Sequence, residues 1–312
     1  MKPTRSVGSF LTKLGMLHLD RVLICEDPVD RGAIGRICKH IGVERSIDVR
    51  AANEVCDGLQ GRTVCHAIYT DYLKTGTGKI STANRTVEVA VYLDRDLAWL
   101  AGECCTHERV ATSSGYCIEN DIFDAMSIER LIEKLTGLAL AIPSLPTGHQ
   151  WCKVYFGAAR HVCLTAFACQ VLSIPGTRGF GGSAQYAGSW PPTFDDVSPN
   201  KLIIDRTLCA RGMDCRAQLD VIESIFSDIE TTNGFQRLIN GKWFAMPLAE
   251  YCVVTVSSVG RSLNISYVQS VLVLCAMEAC NWDDDVFNNI VKVLRCLESL
   301  SVPDTSADKP KQ

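Results

Sequence analysis

The sequence predicts an α/β fold, a parallel-type sheet flanked by helices, followed by a mainly α-helical domain. Arg21 to Glu26 (RVLICE) and Val87 to Leu93 (VEVAVYL) are short apolar runs rich in β-formers, the pattern of strands buried on both faces. Segments of helical periodicity alternate with such runs over the first part of the chain, as parallel α/β sheets require. Near Ala141 to Gly148, a stretch with Pro143 and Pro146, the alternation gives way to helices.

The organisation read this way is an N-terminal extension over 1–20, an α/β domain over 21–140, a helical domain over 141–302 and a polar, disordered tail over 303–312. After the first strand, Asp30 is placed to cap a helix whose apolar residues Ala33, Ile34, Ile37 and Ile41 recur at helical spacing. Ser46 to Ala51 reads as a strand, and 54–73 as a helix interrupted at Gly58 and Gly61. Thr75 to Lys79 is turn-like. After Val87 to Leu93, the segment Ala111 to Ile118 reads as a further strand and Ile122 to Leu138 as an amphipathic helix. Further helices are expected at Trp151 to Leu172, Cys215 to Ile229, Ile265 to Cys280 and Asp285 to Leu300. Pro175 to Pro192 is a Gly/Pro-rich connection.

The 312 residues are 47% hydrophobic and 21% charged, ordinary for a globular protein. No apolar run reaches the roughly 18–20 residues of a membrane span, and no export signal is evident at the N-terminus. The sixteen cysteines lie largely in apolar stretches and form no CxxC pair, which points to reduced core thiols in a cytoplasmic protein. A net charge of −4 weighs mildly against nucleic-acid binding. Carboxylates that hold a metal are acidic until it binds, however, and residues 1–50 carry nine Lys or Arg against six Asp or Glu.

Carboxylates fall where parallel-sheet enzymes keep their sites, at C-terminal strand ends. Glu26 ends the first strand, with Asp30 four residues on. Asp94 and Asp96 follow the second strong strand, and Glu119 follows the later one. In extended backbone Asp94 and Asp96 would aim to one side. Like charges about 4 Å apart cost roughly 4 kcal/mol at an effective dielectric near 20, so such a cluster needs a cation. An all-oxygen set suits Mg²⁺ or Mn²⁺, with Glu26, Asp94, Asp96 and Glu119 as ligands. Each residue also has a plainer reading: Asp30 as a helix cap, Asp94 and Asp96 as turn residues, Glu119 as surface. Lys242 reads either as a phosphate-neutralising cation or as the polar start of a helix.

The string Glu26-Asp27-Pro28-Val29-Asp30, then Val89 to Asp96 (VAVYLDRD), resembles the Toprim fold of topoisomerases, primases and OLD-family nucleases. Tyr116-Cys117-Ile118-Glu119-Asn120 is similar to the Toprim-like effectors found beside ABC-type ATPases in phage-defence operons, closest to those of PARIS systems. The resemblance covers residues 20–140 and, beyond them, mainly Asn240-Gly241-Lys242-Trp243. Where many Toprim sequences carry Gly after the first Glu, this chain has Asp27. The resemblance implies metal-dependent endonucleolytic cleavage of RNA, with tRNA the favoured substrate, by a toxic effector. Its catalytic residues would be Glu26, Asp30, Asp94, Asp96 and Glu119, with Glu26 a candidate general base. Its partners would be an ABC-type ATPase sensor and a second copy in an active homodimer. The alternatives are an OLD-like DNA nuclease and a catalytically silent module that only docks onto the ATPase.

Two other signals are discounted. Gly76-Thr77-Gly78-Lys79 lacks P-loop spacing and leads towards a strand instead of opening a helix. His161 and Cys163 sit nearly adjacent on a helix, where core packing is favoured over nucleophilic chemistry.

Overall fold

The computed structural model describes residues 10, 12–17, 19–56, 61–74, 76–82, 85–96, 105, 107–172, 209–210 and 215–300. The chain divides into two compact units. One comprises Met1–Leu93, Cys105–Thr112 and Asn288–Gln312, the other Asp94–Cys104 and Ser113–Phe287. The expected Gly/Pro-rich connection at 175–192 and the tail at 303–312 lie outside the described residues.

The first unit is built on a five-stranded sheet. β1 (Arg21–Cys25) lies between β2 (Asp48–Ala51) and β4 (Thr86–Leu93), parallel to both, with Ile24 opposite Arg50 and Val91. The far edge of β4 is shared. β3 (Lys79–Ser81) pairs antiparallel along its first half, and β5 (Val110–Thr112) pairs parallel along its second. The sheet is therefore mixed, with the parallel strands at its centre. Lys79 opens β3, so the Gly76–Lys79 string is a turn into a strand, with Gly78 at φ 70°.

Alternate residues of a strand face opposite sides. Val22 and Ile24 of β1 and Val87, Val89, Val91 and Leu93 of β4 form one core with Val64, Cys65 and Ile68 of α3 (Gly61–Ile68). The other face is covered by α1 (Pro28–His40) and by α10 (Asn288–Ser299), which packs on β4, β5 and α1. Asn289 Oδ1 accepts from the Thr112 N–H at 2.7 Å, and Arg295 donates to the Ile41 carbonyl at 2.9 Å. Between α1 and α3 lies the short α2 (Ala52–Val55). Burial on both faces explains why β1 and β4 read as unbroken apolar runs.

The N-cap of α1 is Asp27, not Asp30. Its carboxylate accepts from Val29 N (2.7 Å) and Asp30 N (3.1 Å), while Asp30 reaches back to the Asp27 N–H at 3.0 Å. The two acids thus close a reciprocal capping box, with Pro28 at a helical start that needs no N–H.

The second unit is helical: α4 (Ile118–Ala125), α5 (Ile128–Thr136), α6 (Gly148–Val171), α7 (Cys215–Asn233), α8 (Lys242–Ser258) and α9 (Ile265–Ala279). Two expectations are corrected here. The strand after β4 is only Val110–Thr112, and the segment read as its end starts a helix at Ile118. The helix expected from Ile122 to Leu138 is two helices, separated at Met126, with Ser127 capping the second and Gly137 ending it at φ 69°. α8 starts at Lys242, as one of the two readings of that residue had it, and it holds Pro247 in its interior, a residue that ordinarily ends a helix. Its Phe244 packs edge-on against Trp151, Tyr155 and Phe123 in the centre of this unit. No disulfide joins the described cysteines. Among the described residues, no helix is long and apolar enough to cross a membrane.

Candidate functional site

The end of β4 feeds directly into a polar knot in the second unit. Asp94 Oδ1 accepts from the Ile118 N–H at 3.2 Å, at the first residue of α4. The Arg95 N–H donates to Ser113 Oγ (3.0 Å), and the Asp96 N–H to the Tyr116 carbonyl (2.8 Å). Asp96 has φ 44°, so the extended geometry expected to aim it alongside Asp94 does not continue past the strand. Aspartate is among the few residues other than glycine that tolerate this conformation.

Glu119 lies in the first turn of α4, not at a strand end, and is 5% exposed. The positive end of the helix dipole favours an acid there. Lys242 is the first residue of α8, and its Nζ stands 3.9 Å from Glu119 Oε1. Lys242 is thus a polar helix start, and its ammonium faces a predicted site carboxylate. Cys117, between these groups, is buried. Burial pushes its thiol well above the ordinary range, with the Glu119 and Asp94 carboxylates adding to the shift.

Three residues outside the predicted set of site residues hold this arrangement. Asn120 accepts from the Cys117 N–H (3.1 Å) and donates to the Ile239 carbonyl (2.9 Å), tying α4 to the turn before α8. Gly241 in that turn lies against Asn120 and Glu119 so closely that a Cβ would stand 2.6 Å from Asn120 N. Asp121, fully buried, accepts from Ser114 N (2.9 Å) and Gly115 N (2.7 Å). The available signal was the polar run Glu119-Asn120-Asp121 at a helix start, but only the fold shows that all three are buried.

Burial raises the Asp121 carboxyl from 3.8 to about 7, outweighing the two backbone donors that favour its charged form. Between pH 4 and 7 the folded protein therefore holds a proton that the unfolded chain has released, so stability falls as pH rises across this window. The Asp121 contribution is on the order of 4 kcal/mol. Asp121→Asn is expected to remove this fall while lowering stability at pH 4, because an amide cannot accept from both N–H groups. Denaturant unfolding across the window checks it. An unchanged pH slope in the variant would assign the titration elsewhere.

Glu26 and Asp30 belong to the first unit; Asp94, Asp96, Glu119 and Lys242 belong to the second. Asp30 is 1% exposed and engaged in the capping box. Glu26 is half-buried, and its carbonyl is packed against Gly61. The oxygen-only donors match Mg²⁺ or Mn²⁺ in chemistry. Their grouping does not: among the described residues, no three His, Cys, Asp or Glu side chains form a group that could hold a metal ion. Cys163 is buried, its thiol pushed up by burial, in keeping with core packing. Gln236 and His149 both approach Asp124, at 3.0 and 2.8 Å, beside an open cavity of about 860 Å³ lined by Ser127, Arg130 and Asp284.

No protein-family model matches this chain, and no curated protein matches it.

Proposed function

We propose that this chain is a Toprim-type, divalent-metal-dependent endonuclease acting on RNA, with tRNA the favoured substrate. One observation carries the reading. β1 and β4 are neighbouring parallel strands at the centre of the sheet, and each runs directly into carboxylates, Glu26 after one and Asp94 after the other. This is the strand-end placement that open parallel sheets use for chemistry. RNA, and tRNA in particular, rests on the resemblance of the Tyr116–Asn120 string to phage-defence effectors. Mg²⁺ or Mn²⁺ rests on that resemblance and on the donor chemistry.

Within this reading Glu26 accepts the proton of the attacking water as phosphodiester hydrolysis adds that water across a P–O bond. Asp94 is held by the α4 N-terminus, and Lys242 offsets negative charge beside Glu119. The protein would act as a toxic effector, restrained by an ABC-type ATPase and active as a homodimer. Apolar side chains exposed on the helices, among them Val254 and Leu274, support association. An OLD-like DNA nuclease is the same chemistry on another polymer. The absence of a three-residue metal group among the described residues favours a second reading, a catalytically silent module that only docks.

The test is incubation with total cellular RNA and with plasmid DNA, after complete chelation and then with each ion restored. Cleavage of RNA with Mg²⁺ or Mn²⁺, little with Ca²⁺ and none with Zn²⁺ is expected. Undiminished cutting in excess chelator would place the chemistry outside these carboxylates, and no cutting of either polymer would favour the docking module. Sedimentation of the same preparations reads the association. A fully active monomer at all concentrations would remove that part of the proposal.

A further inference from the structure

We infer that Arg95 and Arg237 together form a binding site for a phosphate of a nucleic-acid strand, at the loop of Ser113 to Gly115. The inference deepens the nuclease reading and rests on it for the identity of the ligand.

Two residues far apart in the sequence are fastened to consecutive residues of one loop. The Arg95 N–H donates to Ser113 Oγ at 3.0 Å, and that hydroxyl donates on to the Gly115 carbonyl at 3.1 Å. Arg237 Nε donates to the Ser114 carbonyl at 3.3 Å. The loop itself is clamped from below, because Asp121 takes the N–H groups of Ser114 and Gly115. Both arginines are half-buried.

Two like charges held near one loop repel each other, and an anion between them would relieve that. The cost registers on Arg237, whose basicity is lowered by burial and then by the neighbouring Arg95 charge. Asp121, the acid whose charge acts on Arg237, has its two carboxylate oxygens engaged by the Ser114 and Gly115 N–H groups. Three other arginines away from solvent are paired with acids: Arg109 with Glu88 at 2.6 Å, Arg50 with Asp48 at 2.9 Å, Arg160 with Glu230 at 2.9 Å. Among the described residues, no carboxylate makes an ion pair with Arg95 or Arg237.

The chemistry of the missing partner follows from the donors. Two planar forks of N–H groups match an anion with several oxygens, and phosphate accepts bidentate contacts from arginine. Arg95 follows Asp94 in the chain, so a strand gripped here would pass the segment that leaves β4. A strand bound this way is held by its backbone and not by its bases, so the site positions the polymer without selecting a sequence.

The experiment measures binding of a labelled single-stranded RNA in excess chelator, over a series of salt concentrations, for the wild type, Arg95→Gln, Arg237→Lys and the double variant. Losing one phosphate contact should reduce the slope of log affinity against log salt by about 0.7. Affinity should fall about tenfold in Arg95→Gln. The double variant should be little worse, because both side chains grip one phosphate. Arg237 also fastens the Ser114 carbonyl, so its variant is judged with its melting temperature. Arg95→Gln loses only the guanidinium, and its backbone bond to Ser113 remains. Wild-type affinity and slope in Arg95→Gln would overturn the inference. A parallel arm titrates pyrophosphate by calorimetry. Arg95-dependent pyrophosphate binding without RNA binding would keep the anion site and sink the nuclease reading, whereas wild type that binds neither overturns the inference.

Discussion

Glu26→Ala is expected to lose cleavage by roughly 10²–10⁴-fold, the range for removal of a general acid or base, while the protein stays folded. The residue follows the last position of β1 and is half-buried, and its backbone holds the contact with Gly61 whatever the side chain. Removing a carboxylate from an acidic strand end also removes repulsion, so the melting temperature without metal should hold or rise. Asp30→Ala should behave in the opposite sense. It opens the α1 capping box, at a cost of about 1 kcal/mol in stability. Cleavage rates and melting curves on the two variants separate a chemical role from a structural one. A folded Glu26→Ala protein that cuts at the wild-type rate would end the assignment of Glu26.

Gly241→Ala is expected to be nearly as damaging through packing alone. A Cβ at this position would stand 2.6 Å from Asn120 N and 2.9 Å from both Asn120 Oδ1 and Glu119 Cβ. Backbone at a helix start cannot swing aside as the tip of a flexible side chain can, so α8 and α4 must part. Overpacking of this kind costs about 1–3 kcal/mol. The same displacement moves Glu119 and Lys242, and a shift near 1 Å at a reacting group costs on the order of a hundredfold in rate. Gly241 has φ −58°, an ordinary value, so the effect is steric and not conformational. Gly35→Ala is the control. It sits in α1 with open space around its would-be Cβ and should be neutral or gain a few tenths of a kcal/mol. Equal melting temperatures and rates for the two variants would show that the contact yields without cost.

The elements legible in the sequence are those whose own residues decide them. β1, β4, α1, α6, α7, α9 and α10 each carry a period or an apolar run that leaves little choice. What escaped depends on partners distant in the chain. Val110–Thr112 ends as a strand because the N–H groups of Ser114 and Gly115 are captured by Asp121, which lies on the following helix. Glu119 was legible as a site candidate but not as a helix residue, since YCIEN has strand propensity and only its place beside Asn240 and Gly241 settles it. β3 is three residues long and is held by pairing with β4, Lys79 to Glu88, so a local pattern could not announce it. Asp27 was visible as a departure from the Toprim pattern. Its use as a cap, which ties up Asp30, needed the helix start to be located at Pro28.

The placement of α10 sets an order on biosynthesis. The helix that covers one face of the sheet, against β4 and β5, is made on the ribosome only after every helix of the second unit has emerged. Until then the nascent chain carries that face of the sheet covered by α1 alone, a state open to chaperone capture and to aggregation. Contacts this distant in sequence also slow folding, because a long loop must close before they form. The sheet that presents Glu26 is therefore completed late. A cell making this protein gains an interval in which the chain exists before the first unit is whole.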